Sequence, residues 1–97
     1  MKTKERYVII RARDAGCFAG VFVSRNDDSV VLKDSRRLWY WAGAASLSQL
    51  AVLGTSQPQE CKFPPAILLH EILGVIEIID VTPAGRSSIE SVPVWKA

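Results

Sequence analysis

Residues 21–33 read VFVSRNDDSVVLK, and this stretch decides the fold. Two short runs of mostly β-branched, apolar residues, 21–24 and 30–33, flank the polar segment 25–29. β-branched side chains favour strands, and asparagine and aspartate tolerate the left-handed backbone of a tight turn. The stretch therefore predicts a β-hairpin that supplies the second and third strands of a sheet.

More strands are predicted on both sides of the hairpin. The alternating segment 7–13 predicts the first strand, and the aromatic segment 38–41 reads as the fourth. Residues 67–81 supply one or two further strands, with Gly74 as a bulge or a bend between them. Sequential strands with short connections favour a mainly antiparallel sheet.

Two short helices are predicted from their caps. Ser46 followed by Gln49 matches a capping box, and Gly54 follows as a left-handed cap. Thr82 followed by Pro83 predicts the start of a second helix that runs through Ser91. The fold class expected is therefore α+β, a mainly antiparallel sheet with two short helices.

Length and composition predict one oligomeric domain. The 97 residues make a single domain spanning 1–97, and 48% of them are hydrophobic. In a domain this small, surplus apolar residues often lie in a subunit interface, so we expect a homo-oligomer. The net charge of +2 is too low for a protein that binds a nucleic-acid polymer, whereas a small anionic ligand is compatible with it.

Candidate metal ligands and nucleophiles are few. Cys17, Cys61 and the single histidine, His70, cannot form a structural zinc site, which needs four ligands in close pairs. Either cysteine would need His70 as its base to act as a nucleophile. We therefore expect no metal, no cofactor and no catalytic residues, that is, a protein that is not an enzyme.

The N-terminus carries no apolar targeting segment, and the apolar stretch 67–81 is interrupted by charged residues. These features favour a cytoplasmic protein that does not enter a membrane. A disulfide between Cys17 and Cys61 stays open, although the reducing cytosol argues against it.

The cluster Arg36-Arg37-Leu38-Trp39-Tyr40-Trp41 holds most of the ligand-binding chemistry. Guanidinium groups bind phosphate bidentately, and aromatic faces stack on nucleobases. On a strand, Arg36 and Arg37 point to opposite faces, and Trp39 shares a face with Trp41. Two interpretations stay open: the rings are core, or one of them lines the wall of a nucleotide-sized pocket.

Two loops add further candidates. Residues 15–20 are small apart from Phe18, so they predict a tight loop with this ring exposed at its tip. Lys62, on the proline-rich loop 55–65, lies either at the mouth of a pocket or simply in solvent.

A family resemblance covers most of the chain. It is carried by the segments 7–11, 15–20, 36–51, 54–56, 61–64, 75–78, 88–89 and 92–95. These segments resemble short bacteriophage proteins of the Thoeris anti-defence family, first type.

The resemblance implies a phage sponge that acts in the cytoplasm of the infected bacterial host. Members sequester cyclic ADP-ribose isomers made by TIR-domain proteins without degrading them. Some assemblies also bind cyclic trinucleotides made by cGAS-like enzymes. Dimers and hexamers, with pockets where protomers meet, are implied as well. The family's contacts are chiefly arginines and an aromatic ring, which implies ligand-binding roles for Arg36, Arg37 and Trp39, then for Phe18 and Arg86.

Two rival functions stay open. One is a small nucleotide-degrading enzyme, a phosphodiesterase or nucleosidase. The other is a non-catalytic phage interaction or assembly module whose aromatic residues are purely core.

Overall fold

A computed structural model describes residues 5–96 as five strands and two helices. The strands are β1 (Tyr7–Ala12), β2 (Gly16–Asn26), β3 (Ser29–Arg37), β4 (Ile67–Ile72) and β5 (Val75–Asp80). The helices are α1 (Leu47–Leu53) and α2 (Pro83–Ser91), and a 3₁₀ turn occupies Pro58–Glu60. The predicted α+β class and its antiparallel sheet are confirmed.

The five strands form one antiparallel sheet in the order β4-β3-β2-β1-β5. The outer strands β4 and β5 follow each other in the chain, with only Leu73 and Gly74 between them. Three Cα–Cα steps span at most about 11 Å, so the two edges of the sheet must approach each other there. The sheet is therefore curled into a partly closed barrel. The bend predicted at Gly74 is confirmed, with φ at 75°.

The two faces of the sheet bury separate apolar clusters. Side chains inside the curl form one cluster: Val8, Ile10, Ala12, Phe18, Val30, Leu32 and Ile72. The opposite face packs against the helices and the 38–63 segment through a second cluster, which includes Tyr7, Ile9, Val21, Leu50, Phe63 and Ile89. Strand β1 is buried on both faces because it lies between these clusters.

The hairpin and both N-terminal helix caps are confirmed. Gly54 ends α1 as expected, but its φ of 82° and ψ of −160° lie outside the left-handed helical region that was predicted. Strands β2 and β3 turn at Asp27, whose φ is 53°. Ser46 Oγ accepts a hydrogen bond from the Gln49 amide at 3.2 Å, and Thr82 Oγ1 accepts one from the Gly85 amide at 3.0 Å. Local side-chain chemistry is enough to fix such caps, so sequence predicts them well.

The predicted loop at 15–20 is wrong. Strand β2 begins at Gly16, and Phe18 pairs with Ile10 instead of standing at a loop tip. Its ring is buried inside the curl because burying an aromatic face is worth more than exposing it. Of the small residues predicted to form the loop, only Ala15 lies in a turn, and the others lie in the strand itself. At Gly20, a Cβ would lie within 3.1 Å of backbone atoms of β3, which shows how closely the two strands approach there.

The predicted fourth strand at 38–41 is also wrong. Strand β3 extends to Arg37, and beyond it only Tyr40 forms an isolated bridge, with Lys62. Leu38 is buried and Trp41 packs against the same cluster, whereas Trp39 and Tyr40 are exposed. Without a continuous strand partner, the expected alternation of faces is lost. Trp39 and Trp41 do not share a face.

Candidate functional site

Arg36 and Arg37 end strand β3 and enter opposite faces of the sheet, as the alternation of a strand requires. Asp34 just before them has a positive φ of 53°, and the β2–β3 register shifts in this region. This bulge aims Arg36 into the helix-side cluster and Arg37 toward the inside of the curl. The paired arginines therefore have two unrelated environments.

The guanidinium of Arg36 is buried and fully used inside the protein. Its five N–H groups donate to the carbonyl oxygens of Phe63, Pro64, Ile89, Val92 and Pro93 at 2.8 to 3.4 Å. An arginine has five N–H donors, so none is left for a ligand. Burial lowers the pKa of this guanidinium, which nonetheless stays charged because arginine does not deprotonate in proteins. Arg36 therefore ties the end of α2 and the 63–64 segment to the sheet.

Arg37 has the opposite character. Its guanidinium carbon lies 4.5 Å from the centroid of the buried Phe18 ring, and Nη1 donates to the Ala15 carbonyl at 2.8 Å. The residue is only half-buried, and within residues 5–96 no carboxylate pairs with it. Stacking and one hydrogen bond orient the group while most of its donors stay available, an arrangement suited to an anion.

His70 on β4 completes this cluster. Its ring meets the Phe18 ring edge-on, with 5.1 Å between centroids and an interplanar angle of 86°. Nδ1 shares a hydrogen bond of 3.2 Å with Ser35 Oγ. Desolvation first, and the positive charge of Arg37 second, lower the pKa of His70 below its ordinary value. We name Phe18, Ser35, Arg37 and His70 the Arg37 cluster.

The remaining predicted site residues lie elsewhere. Trp39 is 64% exposed, two residues beyond Arg37. Arg86, on α2, stacks 4.7 Å over the Tyr7 ring and is paired with Glu5 and Glu90 at 2.9 and 3.0 Å. The structure thus brings Arg37 and Phe18 into contact, but it separates Arg36 and Arg86 from them.

The cysteines are placed as structural thiols. Burial raises the pKa of Cys17, so its thiol is protonated near neutral pH. Cys61 is buried, with Sγ directed at the carbonyl oxygens of Ala42 and Gln57 at 3.5 and 3.6 Å. Both are free thiols in the described structure. Neither has the surroundings of a reactive cysteine, because Cys61 is buried and the positive charge of Arg11 near Cys17 is opposed by Glu77 and by burial.

Three shallow depressions lie away from the Arg37 cluster. One of about 350 Å³ lies between the β2–β3 turn and β5, and one of about 630 Å³ lies over β2, β3 and Leu69. The third, of about 410 Å³, has Arg36 in its wall together with Asp34 and Glu90. Two carboxylates disfavour an anion there, and the donors of Arg36 are already used.

Tyr40 and Trp95 are exposed aromatic residues that both lie close to the Lys62 ammonium, a grouping that sequence reasoning did not predict. The Lys62 ammonium lies 5.8 Å from the Tyr40 ring centroid and 5.6 Å from that of Trp95. The signal available in the sequence was a lysine flanked by apolar residues within the loop, but its aromatic partners are 22 and 33 positions away. Only the fold brings the three together.

The described residues offer neither a metal site nor a membrane-spanning helix. Among residues 5–96, no three His, Cys, Asp or Glu side chains gather closely enough to hold a metal ion. No helix in the same part of the chain has the length and apolar character needed to cross a membrane.

Comparison with known proteins identifies the family. Residues 5–89 match the family described as a domain of unknown function, DUF6948. The chain belongs to this family. Neither curated proteins nor solved structures give a match. The match covers all five strands of this DUF6948 domain and both arginines of the β3 end, so the Arg37 cluster lies wholly inside it.

Proposed function

We propose that this DUF6948 domain is a phage anti-immune sponge. It binds a cyclic ADP-ribose-type messenger and holds it without degrading it, in the cytoplasm of the infected bacterial host. Cyclic trinucleotides are a second ligand class. The specific messenger comes from the resemblance of the sequence to the Thoeris anti-defence family, and the geometry supports the more general part, a small anion that carries a base.

The observation that carries the proposal is the oriented, unpaired guanidinium of Arg37. Phe18 supports it from below and the Ala15 carbonyl fixes its direction, so little side-chain freedom remains to be lost on binding. A pyrophosphate can accept two parallel hydrogen bonds from such a group. Trp39, two residues on and largely exposed, offers a face for adenine.

Self-association is the second part of the proposal. Phe18 and Ser35 are buried and only Arg37 and His70 reach the surface of one protomer, where none of the four lines the three depressions. A tightly held ligand needs more enclosure than this. Edge strand β4 carries Ile67, Leu68 and Leu69 exposed to solvent, with Leu68 73% exposed. Exposed apolar edge strands pair readily with another chain. A homo-oligomer, dimer or hexamer, closes the pocket where protomers meet.

Release of intact messenger is the direct test. The protein is mixed with cyclic ADP-ribose isomers, freed of unbound ligand by filtration and heated, and the filtrate is identified by mass spectrometry. Recovery of unchanged messenger is expected. Recovery of a hydrolysed product supports the phosphodiesterase or nucleosidase alternative, and no retention of any isomer or cyclic trinucleotide supports the assembly module.

The matched variants are Arg37→Ala and Arg25→Ala. A hydrogen-bonded charge is worth about 1.5–3 kcal/mol, so Arg37→Ala should weaken binding roughly 10- to 100-fold. Arg25 lies at the β2–β3 turn, where its Nε donates to the Asp27 carbonyl, and its loss should leave the affinity unchanged. If both variants bind the messenger with equal affinity, Arg37 does not contact the ligand.

A further inference from the structure

Three short segments of the chain lie side by side beyond the end of β3. Tyr40 and Lys62 exchange both of their backbone hydrogen bonds, at 3.3 and 2.7 Å, and the Trp95 amide donates to the Phe63 carbonyl at 3.0 Å. These pairings hold the side chains of Tyr40, Lys62 and Trp95 together on the surface. We name them the Lys62 face.

The Lys62 face presents aromatic surface and a cation to solvent. Tyr40 is 51% exposed and Trp95 44% exposed. Lys62 has no carboxylate partner within residues 5–96, whereas Arg6, Arg11, Lys33 and Arg86 all pair with one. Exposed aromatic rings next to an unpaired cation are uncommon on a surface that serves only to contact water.

Buried Arg36 makes this face rigid. Its guanidinium binds the Phe63 and Pro64 carbonyls on one segment and those of Val92 and Pro93 on the other. Both segments that flank the face are therefore fixed to the sheet before any ligand arrives. A prearranged site loses less entropy on binding than a mobile one. Arg36, expected from the sequence to touch ligand, is a positioning residue here.

We propose that the Lys62 face binds a mononucleotide, with the base stacked on Trp95 or Tyr40 and the phosphate on the Lys62 ammonium. Aromatic faces stack any base, and an ammonium is a compact point charge that suits phosphate. Without ligand, Lys62 covers the two rings; its flexible stem lets the ammonium move to the phosphate as the base takes its place. This site shares no side chain with the Arg37 cluster and holds whether or not the protein sequesters a messenger.

The test is a titration of the full chain with AMP, followed by ¹H–¹⁵N NMR. Backbone signals of residues 40, 62 and 95 and the Trp95 indole N–H should shift together. Adenosine and inorganic phosphate, each carrying half of the recognised chemistry, should bind about tenfold or more weakly than AMP. Shifts confined to Arg37, Phe18 and Trp39 would overturn the assignment, as would the absence of any shift.

Variants separate recognition from folding. Lys62→Ala should weaken AMP binding about tenfold and Lys62→Arg less than about threefold, while Trp95→Leu loses stacking worth about tenfold and Trp95→Phe restores most of it. Lys33→Ala, which removes the same charge from another surface, is the control and should bind like the parent. Should Trp95→Leu fail to fold, the two Lys62 variants and Trp95→Phe still decide the question. Equal AMP affinity in Lys62→Ala and Lys33→Ala overturns the proposal.

The two proposals fail separately. Retention of a cyclic messenger with no AMP shift at the Lys62 face overturns only this inference. AMP binding at the Lys62 face with no messenger retained overturns only the sponge.

Discussion

Arg36 and Arg37 are adjacent in the chain but have different roles: the first holds the interior together, and the second is proposed to bind ligand. Arg36 places all five donors on backbone carbonyls in the interior, whereas Arg37 commits one and stays half-exposed. The difference follows from the strand, which sends neighbouring side chains to opposite faces. A charge buried without a carboxylate is acceptable at Arg36 because several carbonyl dipoles, including those at the end of α2, surround it.

Arg36→Lys should therefore destabilise the protein although it keeps the charge. An ammonium has three donors where the guanidinium has five, so at least two carbonyls lose their partner. We expect a loss of about 3 kcal/mol in the free energy of unfolding, measured by urea denaturation. Arg37→Met, at the neighbouring half-exposed position, should cost about 1 kcal/mol or less. Equal costs would contradict the internal role of Arg36.

His70 should make stability depend on mild acid. Its pKa is lowered in the folded protein, by desolvation first and by Arg37 second, from the ordinary value of 6.5. Above that value the imidazole is neutral in both the folded and the unfolded chain, so its contribution to stability is complete. As pH falls below it, the unfolded chain binds the proton more readily and stability declines.

The measurement is the urea midpoint at pH 7.5 and pH 5.5 for the parent and for His70→Gln. His70 is the only histidine in the chain, so the variant should lose most of the decline across this window. Arg37→Met should flatten it in part, because one of the two causes of the lowered pKa is gone. If stability declines as much in His70→Gln as in the parent, titrating groups other than His70 cause the decline.

At the level of secondary-structure elements, sequence predicted correctly those features that depend on residues close together in the chain. The caps at Ser46 and Thr82 and the turn at Asp27 depend on residues a few positions apart, and each was confirmed. The false strand at 38–41 had strand-like composition but no continuous neighbour, and pairing partners are set by the whole chain. The burial of Phe18 likewise depends on the curl that brings β4 over β2.

The same limit applied to the candidate site. The residue types of the 36–41 segment pointed to ligand binding. They did not show that Arg36 is buried and Arg37 half-exposed. The five acceptors of Arg36 lie between 27 and 57 positions further along the chain. Only folding brings His70 to the Arg37 cluster and Trp95 to the Lys62 face. Sequence therefore gave the wrong surroundings for Phe18, and the ligand-binding role of Arg37 stays a prediction.

The contact between α1 and α2 depends on Gly85. A Cβ at this position would overlap the carbonyl oxygen of Ala51, so the helices approach more closely than any larger residue permits. Alanine normally stabilises a helix relative to glycine by about 1 kcal/mol, so the sign of the effect is informative. Gly85→Ala should instead destabilise the protein by about 2 kcal/mol, because the two helices must separate.

Ser87→Ala, at an exposed position of the same helix, is the matched control and should change stability by no more than about 0.5 kcal/mol. Both variants are compared with the parent by thermal or urea unfolding. A stabilised Gly85→Ala would mean that α1 and α2 lie further apart than described.

For the whole molecule, the topology places β4 and β5 at the two edges of the sheet, and neither has a second neighbouring strand within residues 5–96. The meander from β1 to β4 and the return of β5 beside β1 put consecutive strands at opposite edges. Curling brings these edges near each other at Gly74 but gives β4 no second neighbour among the described strands. Edge strand β4 thus exposes more large apolar side chains than any other strand. Monomeric proteins do the reverse and protect an edge strand with charged residues or proline.

Leu69→Lys should therefore convert the proposed oligomer into monomers. A lysine on an edge strand is charged and disfavours pairing with another chain, while its long stem still fits the exposed position. Sedimentation velocity over a range of concentrations should show an assembly for the parent and a monomer for the variant. Leu53→Lys, an equally exposed leucine at the end of α1, is the control and should assemble like the parent. A parent that is monomeric throughout would refute the oligomer, and dissociation by Leu53→Lys alone would move the interface to the helical face.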